Sequence, residues 1–274
     1  MSQTLAVTPD WGLYGAVSFE IVPGDRTSPY IIHVPHSATR IPDDVRAQIL
    51  LDDGDLAEEL HLMTDARTEE LALLAAEQVE PRPWMFVNRL SRLVVDPERL
   101  PNEFEEMYAV GMGAVYTHTS GGLVLREDEP QAEKMLLKRF FTPYSDALAD
   151  LVDDRLAATG RAVLVDLHSY PMEPLAYERH QEVRRPPVCL GVDVDHTPGA
   201  LVRRVSSACS GIGQVVVNEP FIGTYVPLRH FGRDIRVSSV MVELRRDMYL
   251  REDGSLDPGG ARRISDALVA ILSG

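Results

Sequence analysis

Short apolar runs alternate with amphipathic stretches from residue 30 onward. Tyr30-Ile31-Ile32-His33-Val34 is such a run, closed by Pro35, and it predicts a buried strand. Residues 43–61, rich in Asp, Glu, Leu and Ala, predict a helix. Met63-Thr64-Asp65 breaks it. Thr64 or Asp65 is placed to cap a second helix, with Glu69 or Glu70 close behind and Leu71, Leu74 and Ala75 at helical spacing. Trp84–Val87 and Leu93–Val95 read as strands on either side of Asn88 and Arg89. Residues 102–129 lack a clear period and hold Gly111, Gly113, Gly121 and Gly122, which predicts a long surface loop of the kind that often carries function. Residues 130–158 predict one or two helices bent near Pro143.

The second half is more regular. Strands are predicted over 162–167, 187–192, 215–217 and 237–244, and helices over 198–209 and 256–272. Residues 1–27, with Pro9, Pro23 and Gly24, read as an irregular arm. Alternating strands and helices predict an α/β fold: a central mixed, largely parallel sheet with helices on both faces. No repeat and no Gly/Ser- or Pro-rich linker divides the chain, so a single catalytic domain over residues 1–274 is expected. A chain of that length buries a core of its own.

Charge narrows the partners. The formal net charge is -15, a field that repels nucleic acid and anionic membranes, so neither is expected as a partner. A few arginines in a cleft still admit a small anionic substrate. Cys189 and Cys209 match no zinc spacing and read as buried free thiols of a reducing compartment. The first basic residue is Arg26, and no apolar run approaches the roughly 20 residues that cross a bilayer. A cytoplasmic protein is expected.

Ligands in α/β sheets bind beyond the carboxyl ends of the strands. His36 follows the first strand, in His33-Val34-Pro35-His36-Ser37. His168 follows the most apolar one, in Asp166-Leu167-His168-Ser169. Asp65 stands at a predicted helix start between them. Two imidazoles and a carboxylate are the ligand set of a catalytic zinc site with one open position, although each alone reads as an ordinary polar residue at a strand end. Other divalent ions accept the same donors. Asp166 shares a strand face with His168 and orients it, ligates, or caps a helix. His33, inside the strand, reads as core.

Glu243 lies in the apolar run Val240-Met241-Val242-Glu243-Leu244, where a carboxylate is costly unless paired or functional. It serves either as a general base beside a metal or in an ion pair with Arg245 or Arg246. Arg89, Arg92 and Arg99 cluster near the 93–96 run; they offer forks for a substrate carboxylate, or pair with surface acids. The loop Asn218-Glu219-Pro220-Phe221-Ile222-Gly223-Thr224-Tyr225 brings backbone freedom at Gly223 and a donor at Tyr225. His118, His196 and His230 read as ordinary loop residues.

Taken in order, six pieces resemble the N-formylglutamate amidohydrolase (deformylase) family over roughly residues 28–250: Val34-Pro35-His36-Ser37, Thr64-Asp65, Ser91 to Arg99, Asp166-Leu167-His168-Ser169, Asn218 to Gly223 and Val242 to Tyr249. The resemblance implies a zinc-carboxypeptidase-like, phosphorylase/hydrolase-like fold and one zinc per chain. It implies His36 and His168 as ligands, and Asp65 as the third, because Thr39 occupies the place of the carboxypeptidase carboxylate. It implies Glu243 as base, Arg92 as oxyanion partner, and Arg99, Asn218, Gly223 and Tyr225 as substrate-binding residues. The substrate implied is a small anionic N-acyl amino acid, N-formyl-L-glutamate in histidine degradation. The family's Asp-Leu-Asn-Arg stands here as Asp96-Pro97-Glu98-Arg99, which bears on substrate choice. A deacylase or carboxypeptidase for another N-acyl amino acid, and a metal-free binding protein, are the alternatives.

Overall fold

The computed structural model describes residues 18–178 and 185–274. Of the arm expected over residues 1–27, the first 17 therefore lie outside the described residues. Seven strands form one sheet: β1 Phe19–Val22, β2 Tyr30–Val34, β3 Trp84–Asn88, β4 Ala162–Tyr170, β5 Val188–Gly191, β6 Val215–Val217 and β7 Val237–Arg245. Their order is β1-β3-β2-β4-β7-β5-β6. The four central strands β3, β2, β4 and β7 run parallel. β1 and β5 are antiparallel to their inner neighbours, and β6 is parallel to β5. This is the expected α/β class with a mixed sheet. The helices are α1 Asp43–Arg46, α2 Asp53–Met63, α3 Thr68–Ala76, α4 Pro130–Leu136, α5 Thr142–Thr159, α6 Gly199–Cys209 and α7 Pro258–Leu272.

Alternation along the strands sorts side chains onto two faces. On one, Ile32, Val34, Val163, Val165, Leu167, Val240, Val242 and Leu244 pack with Leu71 of α3, Val205 of α6 and Leu268 of α7. On the other, Ile31, Phe86, Leu164 and Val237 pack against Tyr144, Leu148 and Val152 of α5. Towards the carboxyl ends this second face turns polar, with His33 on β2, Asp166 and His168 on β4, and Glu243 on β7, all buried. One strand face thus supplies core at one end and chemistry at the other. No helix among the described residues is long and apolar enough to cross a membrane.

Several elements differ from expectation. The 43–61 helix is two helices, because Ile49 and Leu51 turn into a separate core cluster and Asp52 restarts the helix by accepting from Asp55 N at 2.9 Å. Neither Thr64 nor Asp65 caps α3 with its side chain; Arg67 (φ 65°) precedes the helix, and Thr68 Oγ1 donates to Asp65 O instead. The Asp65 carboxylate is therefore left for the site. Leu93, Val94 and Val95 are buried but form a turn, with Val94 N donating to Ser91 O. Burial alone explains their apolarity, and no ladder forms.

The 102–129 segment is not a surface loop throughout. Met112, Ala114, Val115, Tyr116 and Leu125 are buried, and Ser120 N and Oγ both donate to the buried Glu59 carboxylate of α2 at 2.7 Å. The bend before α5 is a π turn over Leu137–Phe141, just ahead of Pro143, whose missing N–H interrupts the α pattern. β1 arises inside the predicted arm, and β4 runs on to Tyr170, so His168 lies within a strand rather than after one.

Candidate metal centre and active site

β3 and β4 flank β2 on opposite sides, so the chain diverges beyond β2 and leaves a cleft at the carboxyl ends. A cavity of about 650 Å³ opens there. His36 stands two residues past β2. Asp65 lies in the turn from α2 to α3, and its backbone N–H donates to His36 O at 2.9 Å, tying the two segments together. His168 comes from β4.

Three donor atoms converge. His36 Nδ1 and His168 Nδ1 are 3.3 Å apart, and Asp65 Oδ2 lies 3.7 Å from the first and 3.1 Å from the second. A tetrahedral site with bonds of about 2.0–2.1 Å has edges of about 3.3–3.4 Å. The residues present therefore fit a divalent ion.

The far nitrogens face carboxylates. His36 Nε2 lies 3.0 Å from Asp96 Oδ1. His168 Nε2 lies 3.1 Å from Asp166 Oδ1 and 3.2 Å from Glu98 Oε2, aligned with neither for a hydrogen bond. Ionised carboxylates only accept; with protons on the Nε2 atoms, the Nδ1 lone pairs are left for an ion beside Asp65. Asp96 Oδ2 in turn accepts from Arg92 Nε and Nη2 and from Tyr116 OH, and Asp96 Oδ1 also accepts from Glu98 N.

Charge here favours a cation. Burial and Arg92 push His36 down, yet Asp96 and Asp65 outweigh them and raise it. Burial likewise opposes a charged His168, and Glu98 and Asp166 override it, raising it well above its ordinary value. Burial raises Asp65, but hydrogen bonds from His168 and His36 leave it lowered. The acids around the two imidazoles give this centre a preference for positive charge.

Glu243 is the register partner of His168 on the neighbouring strand. It is buried, and its Oε2 has no hydrogen-bond partner among the described residues. Burial first, then Asp65, pushes it up to about 7, against the pull of His168, His36 and Arg92. The ion pairs that would have explained it otherwise do not form: Arg245 binds Asp247, and Arg246 reaches Ser169 Oγ and His61 O and stands 3.8 Å from Asp65 Oδ1. An unpaired buried carboxylate with a raised pKa beside a metal-type donor set is the arrangement of a general base.

Residues 28–250 match the N-formylglutamate amidohydrolase family. The chain belongs to that family. Among solved structures it is similar to an N-formylglutamate amidohydrolase from Ralstonia eutropha JMP134, with 22% identity, 93% of this chain and 96% of that chain covered, and a TM-score of 0.73. It is also similar to a gene product from Agrobacterium tumefaciens, with 19% identity, 94% of each chain covered and a TM-score of 0.68. At these identities the likeness shows the shared fold. No curated protein matches the chain.

Within this amidohydrolase the cavity brings together most of the residues singled out in the sequence: His36, Asp65, His168, Glu243, Arg92, Arg99, Gly223 and Tyr225 all line it. Arg92 spends Nε and Nη2 on Asp96. Arg99 bonds Glu105 at 3.2 Å. Asn218 does not line the cavity; its amide accepts from Val192 N at 2.8 Å and so ties the 218–223 loop to the end of β5. Arg89 is turned away, paired with Glu20 and Glu69. His118 and His196 bond to Thr117 and Val237, and His230 Nε2 lies 3.2 Å from Asp153 Oδ1, all outside the centre.

Three residues at the centre, Asp96, Arg246 and His33, escaped the sequence reading as functional, and Glu98 entered it only through substrate choice. Asp96 was signalled only as an acid ending an apolar run. Glu98 turns inward, behind the metal-type histidines. Arg246 lines the cavity. His33, read as core, bonds Asp166 Oδ1 at 2.8 Å.

Proposed function

We propose that this amidohydrolase removes the formyl group from an acidic N-formyl amino acid, N-formyl-L-glutamate, giving formate and L-glutamate, with one zinc ion held by His36, Asp65 and His168. The observation that carries the reading is the convergence of the three lone-pair donors beside the unpaired Glu243 carboxylate. When bound, such an ion supplies Lewis-acid activation of water and of the scissile carbonyl.

The chain's own groups do the rest. Glu243 takes the proton of the attacking water as the O–C bond forms, then passes it to the amide nitrogen as the C–N bond breaks. Arg92 offers Nη1 to the developing oxyanion. Arg99 holds the α-carboxylate, and Gly223 and Tyr225 form the facing wall. Asn218 supports that wall by fixing its loop rather than by touching substrate. This reading carries the role in histidine degradation and the cytoplasmic location implied by the sequence.

The test is metal content and formate release. The purified protein is expected to hold about one zinc per chain and to release formate from N-formyl-L-glutamate, and His168→Ala to lose both. A wild type that holds no metal and gains none on adding zinc would return the chain to the non-catalytic binding reading. For the clamp, Arg99→Lys is expected to raise KM about tenfold with kcat little changed, since lysine cannot reproduce the guanidinium fork. Steady-state kinetics check it, and an unchanged KM assigns the carboxylate to another arginine.

A second reading keeps the mechanism and enlarges the acyl group, because about 650 Å³ falls within the range of pockets for drug-sized ligands. Comparing kcat/KM for N-formyl-, N-acetyl- and N-butyryl-L-glutamate separates the two.

A further inference from the structure

Behind His168 runs a line of buried polar groups that the proposed reaction does not use. Tyr144 OH of α5 is 2.6 Å from His33 Nε2. His33 Nδ1 is 2.8 Å from Asp166 Oδ1. The same oxygen lies 3.1 Å from His168 Nε2. We infer that His33 and Tyr144 are positioning residues for the metal ligand His168, acting through Asp166; the inference rests on the metal reading of that site.

The direction of each bond supports this. The ionised Asp166 carboxylate only accepts, so His33 Nδ1 carries a proton and donates it. His33 Nε2 and Tyr144 OH form the second hydrogen bond, on the far side of the ring. Asp166 Oδ2 accepts from Tyr225 N at 3.2 Å, so both oxygens are held. His33 is in register with Asp166 across the β2–β4 pair and is wholly buried. Its ring is enclosed by Phe86, Tyr144 and Tyr225, with centroids at 6.1, 5.9 and 5.2 Å. Any buried histidine needs partners; here the partner of Nδ1 is the carboxylate that backs His168.

The two proposed ligands are backed differently, and this gives the inference its content. Asp96, behind His36, is clamped by the Arg92 guanidinium, which draws its charge away from the imidazole. Asp166, behind His168, is held by the His33 ring and a backbone N–H, and no arginine pairs with it among the described residues. Its charge stands 3.1 Å from His168 Nε2 and strengthens Nδ1 as a donor. His33 fixes Asp166 Oδ1 through one N–H. An arginine in that place would orient but also weaken. His33, Glu98 and Asp166 also come close enough to hold an ion of their own. A second ion there would displace the His33 proton from Asp166, so the number of ions bound decides between the two uses.

The experiment measures zinc stoichiometry and the zinc dissociation constant by chelator competition. The proteins are wild type, Tyr144→Phe, His33→Leu and His33→Asn, whose amide N–H can take the place of Nδ1–H. One zinc per wild-type chain is expected. His33→Leu is expected to weaken zinc binding about 10–100-fold, the usual effect of losing an outer partner of a metal histidine. Tyr144→Phe should show a smaller loss, and His33→Asn should recover most of it. If His33→Leu or Tyr144→Phe folds and binds zinc as tightly as wild type, the inference is overturned. Should His33→Leu not fold, Tyr144→Phe alone decides. Two zinc ions per wild-type chain overturn it in favour of a second metal site. A wild type that binds no zinc overturns the metal reading itself, and this inference with it.

Discussion

Replacing Glu243 with glutamine is expected to lower kcat about 10²–10⁴-fold while leaving metal content unchanged. The side chain keeps its shape and its place opposite His168 on β7, so packing is preserved. What is lost is the ability to take a proton from water and give it to the leaving amine. The pH dependence has a defined sign. Burial pushes the Glu243 carboxyl up to about 7 when no metal is bound, and a cation beside it draws that value down. Activity requires the deprotonated form. In the metal-loaded enzyme kcat/KM should therefore rise with pH along an acidic limb whose midpoint lies below about 7, and Glu243→Gln should lose that limb. Full activity in Glu243→Gln would remove the carboxylate from the mechanism.

Replacing Asp96 with asparagine is expected to cost about 3–5 kcal/mol of stability, because it removes the charge of the fully buried carboxylate that the half-buried Arg92 guanidinium pairs with. The side chain accepts from Arg92, Tyr116, His36 and Glu98 N, and an asparagine turns one acceptor into a donor facing donors. Thermal unfolding of metal-stripped protein should show a fall on the order of 10 °C. Stripping matters, since bound metal adds its own stabilisation to wild type. The pH sign is that of a depressed carboxylate. Burial works against the charge, and Arg92 and then His36 outweigh it, so Asp96 lies well below its ordinary 3.8. Its contribution is complete above the unfolded value and is lost only as pH falls through the lower folded value. A melting temperature within a degree or two of wild type would show that Asp96 and Arg92 are not a coupled pair.

Some of this was legible from residue types alone. The buried strands read at 30–34, 84–87, 162–167 and 237–244 form, the last three running one to three residues further, because strands covered on both sides need continuous apolar runs. The polar residues in or next to those runs, Asp166, His168 and Glu243, stood out because burying such groups is costly without a partner. Leu93–Val95 misled for the same reason: an apolar run reports burial, not hydrogen-bond partners, and here the burial is that of a turn. β1 escaped because an edge strand of four residues in a Pro- and Gly-bearing stretch has little pattern to read.

What the sequence by itself determined is the α/β class, the family, and the candidates His36, Asp65, His168 and Glu243, each marked by local chemistry next to an apolar run. Only the tertiary structure decided which groups stand behind them. Asp96 reaches His36 across 60 residues of chain, and Tyr144 reaches His33 across 111. Glu98 turns inward towards three histidines, and Asn218 turns away to hold a loop. Local pattern encodes whether a residue is buried and on which face. It does not encode partners brought in from distant segments, because those depend on the order of strands in the sheet and on where each connection crosses it.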